Sequence, residues 1–206
     1  MRWVTRSHLH LDRVATSWLI RRFIDPDASF EFVGWAPETE LPEGAVPFGV
    51  PGVELGAHDE HGTTFEKVMR AFELDDRALC ETAAIVAAGV RRALRIDPPD
   101  GQQPAHAALG RALDGLGTGL GVFNSDEDII RISTPLYDSL YVLCQLRVLS
   151  RADQKAAPRD PAGGRAYWRA RLMDPAAAAV PTEMTSEDSM SPPADAAGGR
   201  RLGKEP

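Results

Sequence analysis

The first 26 residues constrain the fold most, because they predict a strand, a polar loop and a helix in direct succession. Residues 2–6 alternate apolar and polar side chains as a half-buried strand does. The following helix repeats apolar residues near a period of 3.6 and ends at Pro26, whose ring restricts the residue before it. Between strand and helix, two histidines, Asp12 and Arg13 gather at the helix entrance. Loops of this kind commonly present functional groups.

A second group of possible ligands precedes the next helix. His58 and His61 lie in a loop directly before Thr63. Thr63 and Glu66 have the spacing of a capping box, in which each side chain bonds the other residue's amide. A helix is therefore expected to begin here, with the histidines at its start.

The remainder of the chain is mainly helical in its apolar periodicity. Helices are expected from Asp75 or Asp76 to Arg95, over residues 105–116 with a flexible glycine-rich turn after them, and from Asp126 onward, with Pro135 kinking the last or starting a new one. Short strands are expected over residues 2–6, 29–33, 45–48 and 53–57. The pattern predicts an α+β fold, predominantly helical, with a small sheet formed by short N-terminal strands.

Composition divides the chain near residue 150. Residues 1–150 alternate apolar periodic segments with short turns, as one domain with a substantial core does. Residues 151–206 are rich in Pro, Ala, Gly and Ser and poor in branched apolar side chains. We expect a tail with one docking helix over residues 165–173 that is otherwise disordered, because such a composition buries too little apolar surface.

Charge and hydropathy argue against nucleic-acid and membrane partners. The formal net charge is −7, and residues 1–150 carry 14 Lys and Arg against 22 Asp and Glu. An acidic domain is a poor nucleic-acid binder, because such surfaces neutralise phosphates with basic side chains. No apolar run approaches the roughly 20 residues of a membrane helix. Charge rather than an apolar segment follows the first residues, so we expect no signal peptide, no membrane and a cytoplasmic location.

The two histidine clusters suggest a metal site. Imidazole and carboxylate groups are suitable ligands for Fe, Mn or Zn as divalent ions. The candidate ligands are His10, Asp12, His58, His61 and Glu66. The alternative is structural: the histidines are loop residues, Glu66 is only a helix cap, and Asp12 pairs with an arginine. The sequence leaves both open for His10 and His58.

Tyr137, Asp138 and Tyr141 form a third candidate group on a leucine-rich helical segment. Their spacing is typical of a core edge whose hydroxyls find polar partners. A buried aspartate beside two tyrosines can also orient a metal-bound histidine by accepting a hydrogen bond from its second ring nitrogen. Both roles are open at this point.

The order of several motifs resembles the ChrB-type chromate-resistance domain over about residues 2–147. The matching runs are WVTR at 3–6, LDR at 11–13, WLIRRFIDP at 18–26, PFGVPGVEL at 47–55, His58 with TFE at 64–66, and YDSLYVLC at 137–144. The resemblance implies a role in chromate resistance, by sensing or regulating the stress response to it. It also implies that motif positions fall on His10, Asp12, Arg13, His58, Glu66 and Asp138.

Two departures from that family's pattern bear on the chemistry. Thr16 and Thr63 stand where the family commonly has cysteine. This favours the histidine and carboxylate set over thiol-based capture or reduction of chromate.

These observations lead to one main expectation and two alternatives. The main one is a chromate-resistance-related domain that binds a metal ion or an oxyanion, for sensing or detoxification. His10, His58 and one carboxylate would hold a metal, and Arg13 would bind an anion as a bidentate donor. The alternatives are a metal-dependent oxidoreductase on the same scaffold and a non-catalytic regulatory or interaction domain.

Overall fold

A small parallel sheet organises the N-terminal part of the protein. The structure, a computed structural model, describes residues 1–36, 39–149 and 151–172. Its strands are β1 (Arg2–Arg6), β2 (Ser29–Val33) and β3 (Val46–Pro47), in the order β2-β1-β3. Trp3 of β1 lies opposite Phe30 on one side and Val46 on the other. The central strand is therefore the buried one, and Trp3 and Val4 are fully enclosed.

The connection from β1 to β2 is the first helix. Helix α1 (Leu11–Leu19) continues as a π-helical segment, Ile20–Ile24, in which the Asp25 amide donates to the Ile20 carbonyl at 2.8 Å. Trp18 is buried on the core side of α1. The predicted strand, loop and helix are thus confirmed.

Six further helices complete the described part of the chain. They are α2 (Thr64–Ala71), α3 (Arg77–Leu94), α4 (Pro104–Phe123), α5 (Asp126–Val148), α6 (Arg151–Ala156) and α7 (Pro161–Leu172). The capping box at Thr63 and Glu66 is present, and Asp76 caps α3 by accepting from the Leu79 amide at 2.8 Å. The prediction of a mainly helical α+β fold with a small sheet is confirmed.

Helices α3 and α4 approach each other through glycine. A Cβ placed on Gly110 would lie 2.5 Å from the backbone nitrogen of Gly89, closer than real Cβ atoms come. Only glycine at both positions permits this backbone contact. The α3 side of the core, including Leu79, Ile85 and Val86, then packs against α1 and α5.

Three details differ from the sequence expectations. Residues 53–57 form turns rather than a strand, and the Gly-rich run continues α4 to Phe123 instead of breaking it. That run stays helical where it packs, since Gly117 lies against the ring of His10. Helix α5 also continues through Pro135, so the proline does not start a new helix, and a kink there stays a prediction. Burial of Ile129, Tyr137 and other residues on its inner face offsets the one hydrogen bond that the proline removes.

The C-terminal region is described only in part. The helix expected over residues 165–173 corresponds to α7, which contacts α5, and the Tyr167 hydroxyl donates to the Asp153 carbonyl at 2.9 Å. Residues 173–206 lie outside the described residues, so the expected disorder there stays a prediction. Within the described ranges, no helix combines the length and apolar character needed to cross a membrane.

Candidate functional site

A cleft of about 300 Å³ lies at the carboxyl ends of the three parallel strands. Arg6 ends β1, Trp35 follows β2 by two residues, and Gly49 follows β3 by two residues; all three line the cleft. Binding sites in α/β proteins commonly lie beyond the carboxyl ends of parallel strands, where connections leave the sheet in opposite directions. The end of α3 also lines the cleft through Val90 and Leu94.

Four of the predicted site residues meet in this cleft. His10, Asp12 and Arg13 reach it from the start of α1, and His58 reaches it from the loop before α2. Two clusters that are more than forty residues apart in sequence are thus brought to one place.

His61 and Glu66 lie elsewhere. The His61 side chain is 74% exposed and lines a separate depression with Lys67 and Arg70. The Glu66 carboxylate accepts from the Thr63 amide at 2.7 Å and from its hydroxyl at 2.9 Å, while lining a third depression. The structural alternative therefore describes Glu66 well, because it caps α2.

Asp12 joins the starts of two helices. Its carboxylate oxygens accept from the backbone amides of Thr64 at 2.8 Å and Phe65 at 3.1 Å, the first two residues of α2. Burial raises the pKa of Asp12, and these hydrogen bonds together with the charge of His58 oppose that rise. A carboxylate at a helix N-terminus also suits the helix dipole. Asp12 is thus the anion that the α2 N-terminus binds.

His58 carries the most informative atom of the cleft. Its Nδ1 is buried and has no hydrogen-bond partner among the described residues. A buried polar atom left without a partner costs about 1–3 kcal/mol. Because His58 lines the cleft, this nitrogen makes His58 the candidate for contact with a ligand or water.

The ring of His10 faces α4. Its Nε2 lies 3.2 Å from the Asp114 carbonyl oxygen and 3.3 Å from the Thr118 hydroxyl. Gly117 allows this approach, since a Cβ there would lie 3.1 Å from the ring. Across the described ranges, no three His, Cys, Asp or Glu side chains form a group that could hold a metal ion. The five predicted ligands are therefore not assembled, and a bound Fe, Mn or Zn ion stays a prediction.

Arg13 directs most of its guanidinium N–H donors to backbone carbonyl oxygens. Its guanidinium donates to the carbonyls of Arg6 and Ser7 and, at 2.7 Å, to that of His8. Burial lowers the pKa of Arg13, while the charges of Asp126 and Asp12 oppose this. The side chain orders the loop, and its positive charge remains beside the cleft.

The same loop has an unusual backbone. His8 and Leu11 have φ values of 58° and 34°, in the left-handed region that side chains other than glycine rarely adopt. Asp126, the first residue of α5, accepts from the amides of His8 at 3.0 Å and Leu9 at 2.6 Å. Arg13 and Asp126 thus hold a conformation that the loop would not prefer alone.

The third predicted group lies along α1, with Asp138 at its far end and Tyr137 reaching its first residue. The Asp138 carboxylate accepts from Arg22 through two bonds of 2.8 and 2.6 Å and from Trp18 Nε1 at 2.8 Å. The Tyr137 hydroxyl donates to the Leu11 carbonyl at 3.2 Å, and burial raises its pKa. Burial and the nearby Asp76 raise the pKa of Tyr141 to about 12. Among the described residues, none of these partners is a histidine, and the contacts are those of a core edge.

The two threonines at family cysteine positions have different surroundings. Thr63 caps α2. Thr16 is fully buried in α1, and its hydroxyl has no hydrogen-bond partner in the part of the chain that the structure describes. Neither lines the cleft at the strand ends, in contrast to Thr64.

Sequence reasoning missed Arg6 and Trp35. Both guanidinium groups of the cleft lie over the Trp35 ring, Arg6 at 5.0 Å and Arg13 at 5.2 Å from its centre. The Trp35 Nε1 donates to the Ser7 carbonyl at 2.9 Å. Both residues lie at or just after the end of a strand. Their placement in the cleft could have been predicted only if the strands had been recognised as parallel.

Comparison with known proteins identifies the group to which the chain is related. It is 41% identical over 75 residues to Protein ChrB of Cupriavidus metallidurans, an alignment that covers 36% of this chain and 22% of the relative. The chain thus matches about a fifth of that protein's length. No solved structure shows a significant match. The family model described as ChrB, C-terminal domain, matches residues 3–144, so the chain belongs to this family.

Proposed function

We propose that this chain serves chromate resistance by binding a small oxyanion, chromate or an anion of similar shape, in the cleft at the strand ends. The observation that carries the proposal is the buried Nδ1 of His58, which has no partner among the described residues. An imidazole N–H donates readily to an oxyanion oxygen. Arg6 and Arg13 line the same cleft and supply positive charge to it.

The charge balance of the cleft supports an anion. Among the described residues of the lining, Asp12 carries the one carboxylate, and two amides at the start of α2 already bind it. One guanidinium nitrogen of Arg6 donates to the Trp35 carbonyl at 2.9 Å, and its other N–H groups are available to an anion. Within the lining, two arginines face one carboxylate; outside it, Asp126 acts on Arg13 and the Asp114 carboxylate lies 3.5 Å from His10 Nε2. Charge-assisted hydrogen bonds to oxyanions are the stronger ones in proteins.

The chemistry expected of this site is binding rather than thiol reduction. No cysteine is among the described residues that line the cleft. A divalent metal ion is the second candidate occupant, because a free imidazole nitrogen beside a carboxylate also suits Fe, Mn or Zn. It ranks second because His10, Asp12 and His58 all line the cleft but do not form a three-ligand group among the described residues.

Equilibrium dialysis against chromate tests the proposal. We expect saturable binding by the wild type, displaced by sulfate, and at least about tenfold weaker binding by His58→Ala, since hydrogen bonds to charged groups contribute about 1.5–3 kcal/mol. His61→Ala is the matched control, because it removes an exposed imidazole of the same loop outside the cleft. Equal binding by wild type and His58→Ala, or no binding by either, contradicts the proposal. Stoichiometric metal in protein purified without chelator, lost in His58→Ala, would establish the metal alternative.

A further inference from the structure

The cleft is larger than a small oxyanion requires. Its volume of about 300 Å³ falls at the lower end of pockets that hold small organic ligands. Since one water occupies roughly 30 Å³ of liquid, the space equals that of about ten waters. A tetrahedral oxyanion at His58 fills only the polar end.

Much of the remaining lining is apolar, although His10, Asp12 and Thr64 also contribute to it. Val90, Ala93 and Leu94 line the cleft with the i, i+3, i+4 spacing of one helix face at the end of α3. Leu11, only 3% exposed, contributes to the same lining. These side chains offer an oxyanion no hydrogen bonds. They instead suit a ligand with an apolar part.

Two large apolar side chains of the lining remain exposed. Leu94 is 55% exposed and Trp35 is 54% exposed. Exposed apolar groups with a polar rim commonly mark ligand-binding grooves. A ligand that covers them gains affinity in proportion to the apolar area removed from water.

We propose that the cleft binds an organic anion, with its anionic group at His58, Arg6 and Arg13 and its apolar body against α3 and Trp35. The inference rests on the proposed function for the cationic end of the cleft and adds the class of ligand. Chromate and the organic anion share that end, so they compete.

Calorimetric titration with phenylphosphonate and methylphosphonate tests the inference, because the two probes share a head group and differ in apolar body. We expect phenylphosphonate to bind about tenfold more tightly or better, given roughly 25 cal/mol for each Å² of apolar surface buried. Leu94→Ser is expected to reduce this ratio severalfold. Leu116→Ser is the matched control, since Leu116 is 52% exposed but lies on α4, outside the cleft. His58→Ala is expected to weaken both probes alike, and phenylphosphonate to displace chromate.

The outcomes separate this inference from the oxyanion function. Equal affinity for the two probes, or a ratio that Leu94→Ser leaves unchanged, overturns the organic ligand while chromate binding can stand. Tight phenylphosphonate binding that depends on Leu94, in a protein that does not bind chromate, supports the organic ligand and overturns the oxyanion function. Absence of binding by all three anions overturns both.

Discussion

The two ends of α1 differ in how completely their polar groups are paired. At the C-terminal end, Trp18 and Arg22 both donate to Asp138, which accepts three hydrogen bonds. At the N-terminal end, the backbone is left-handed at His8, and the buried Nδ1 of His58 has no partner in the described chain. Complete pairing stabilises a fold, whereas strain and unmet hydrogen bonding concentrate where ligands bind. We therefore expect the C-terminal end to contribute most to stability and propose that the N-terminal end binds the ligand.

Truncating Trp18 is expected to have the largest effect on stability. Trp18 is 2% exposed and packs against Phe65, Tyr137 and Tyr141. Trp18→Ala should lower the free energy of unfolding by about 3–5 kcal/mol, as large-to-small core substitutions do. Trp35→Ala, at the cleft, should cost much less, because that ring is 54% exposed. Urea denaturation followed by circular dichroism measures both, and similar losses would contradict the division between the two ends.

Asp12 tests whether the binding end also contributes to stability. Asp12→Ala leaves the Thr64 and Phe65 amides without their acceptor and should cost about 1–3 kcal/mol of unfolding free energy. Glu60→Ala, which alters an 82% exposed side chain of the loop before α2, should change stability little. The same denaturation experiment compares them. A cost for Asp12→Ala no larger than that for Glu60→Ala would show that the α2 amides do not depend on this carboxylate.

Asp138 should contribute a smaller, pH-dependent amount to the free energy of unfolding. Burial opposes the shift, yet the hydrogen bonds from Arg22 and Trp18 hold the pKa of Asp138 below its usual value. A lowered pKa in the folded state adds stability above the unfolded-state pKa, and that stability disappears as pH falls through the folded-state pKa. Asp138→Asn should therefore cost about 1 kcal/mol or less near neutral pH, because the carboxylate is 39% exposed. Denaturation from neutral to acidic pH should show the difference from wild type shrinking; a constant difference contradicts the assignment.

Asp12 should show the opposite pH trend, which sharpens the contrast. Its pKa is raised in the folded state, so its contribution is present in full below the unfolded-state pKa and is lost as pH rises through the folded-state pKa. Compared with Asp12→Asn, the wild type should lose stability as pH rises across the mildly acidic range. Thermal unfolding at a series of pH values measures the two curves. Parallel curves would mean that the Asp12 carboxyl titrates alike in both states.

His58→Ala should have the smallest effect on stability. The change removes a buried nitrogen without a partner, so the free energy of unfolding should shift by no more than about 1 kcal/mol, in either direction. Chromate binding should nevertheless fall at least tenfold. Thermal unfolding and dialysis on the same preparation separate the two readouts. A large loss of stability in this variant would mean that His58 supports the fold rather than a ligand.

Local sequence signals predicted the parts of the structure that depend on neighbouring residues. The capping box at Thr63 and the strand, loop and helix of the first 26 residues have local causes, and both are present. The placement of His10 and His58 ahead of helices α1 and α2 was also predicted from local signals. These features need little knowledge of distant contacts.

Features set by distant contacts were harder to predict. The separation of His61 from His58 depends on turns over residues 53–62, whose path the sequence does not define. The continuation of α4 through its glycines depends on tertiary packing, which overrides weak helix propensity. Arg6 and Trp35 joined the cleft because the strands are parallel. Each of these requires the sheet order or the helix packing to be known first.

The pairing of Trp18 with Asp138 has a consequence for synthesis of the protein. The two residues are 120 positions apart. Because ribosomes add about 5–20 residues per second, Asp138 is synthesised roughly 6–24 s after Trp18. During that interval the apolar face of α1 has no α5 to cover it. Nascent chains are therefore expected to need chaperone protection most before α5 emerges from the ribosome.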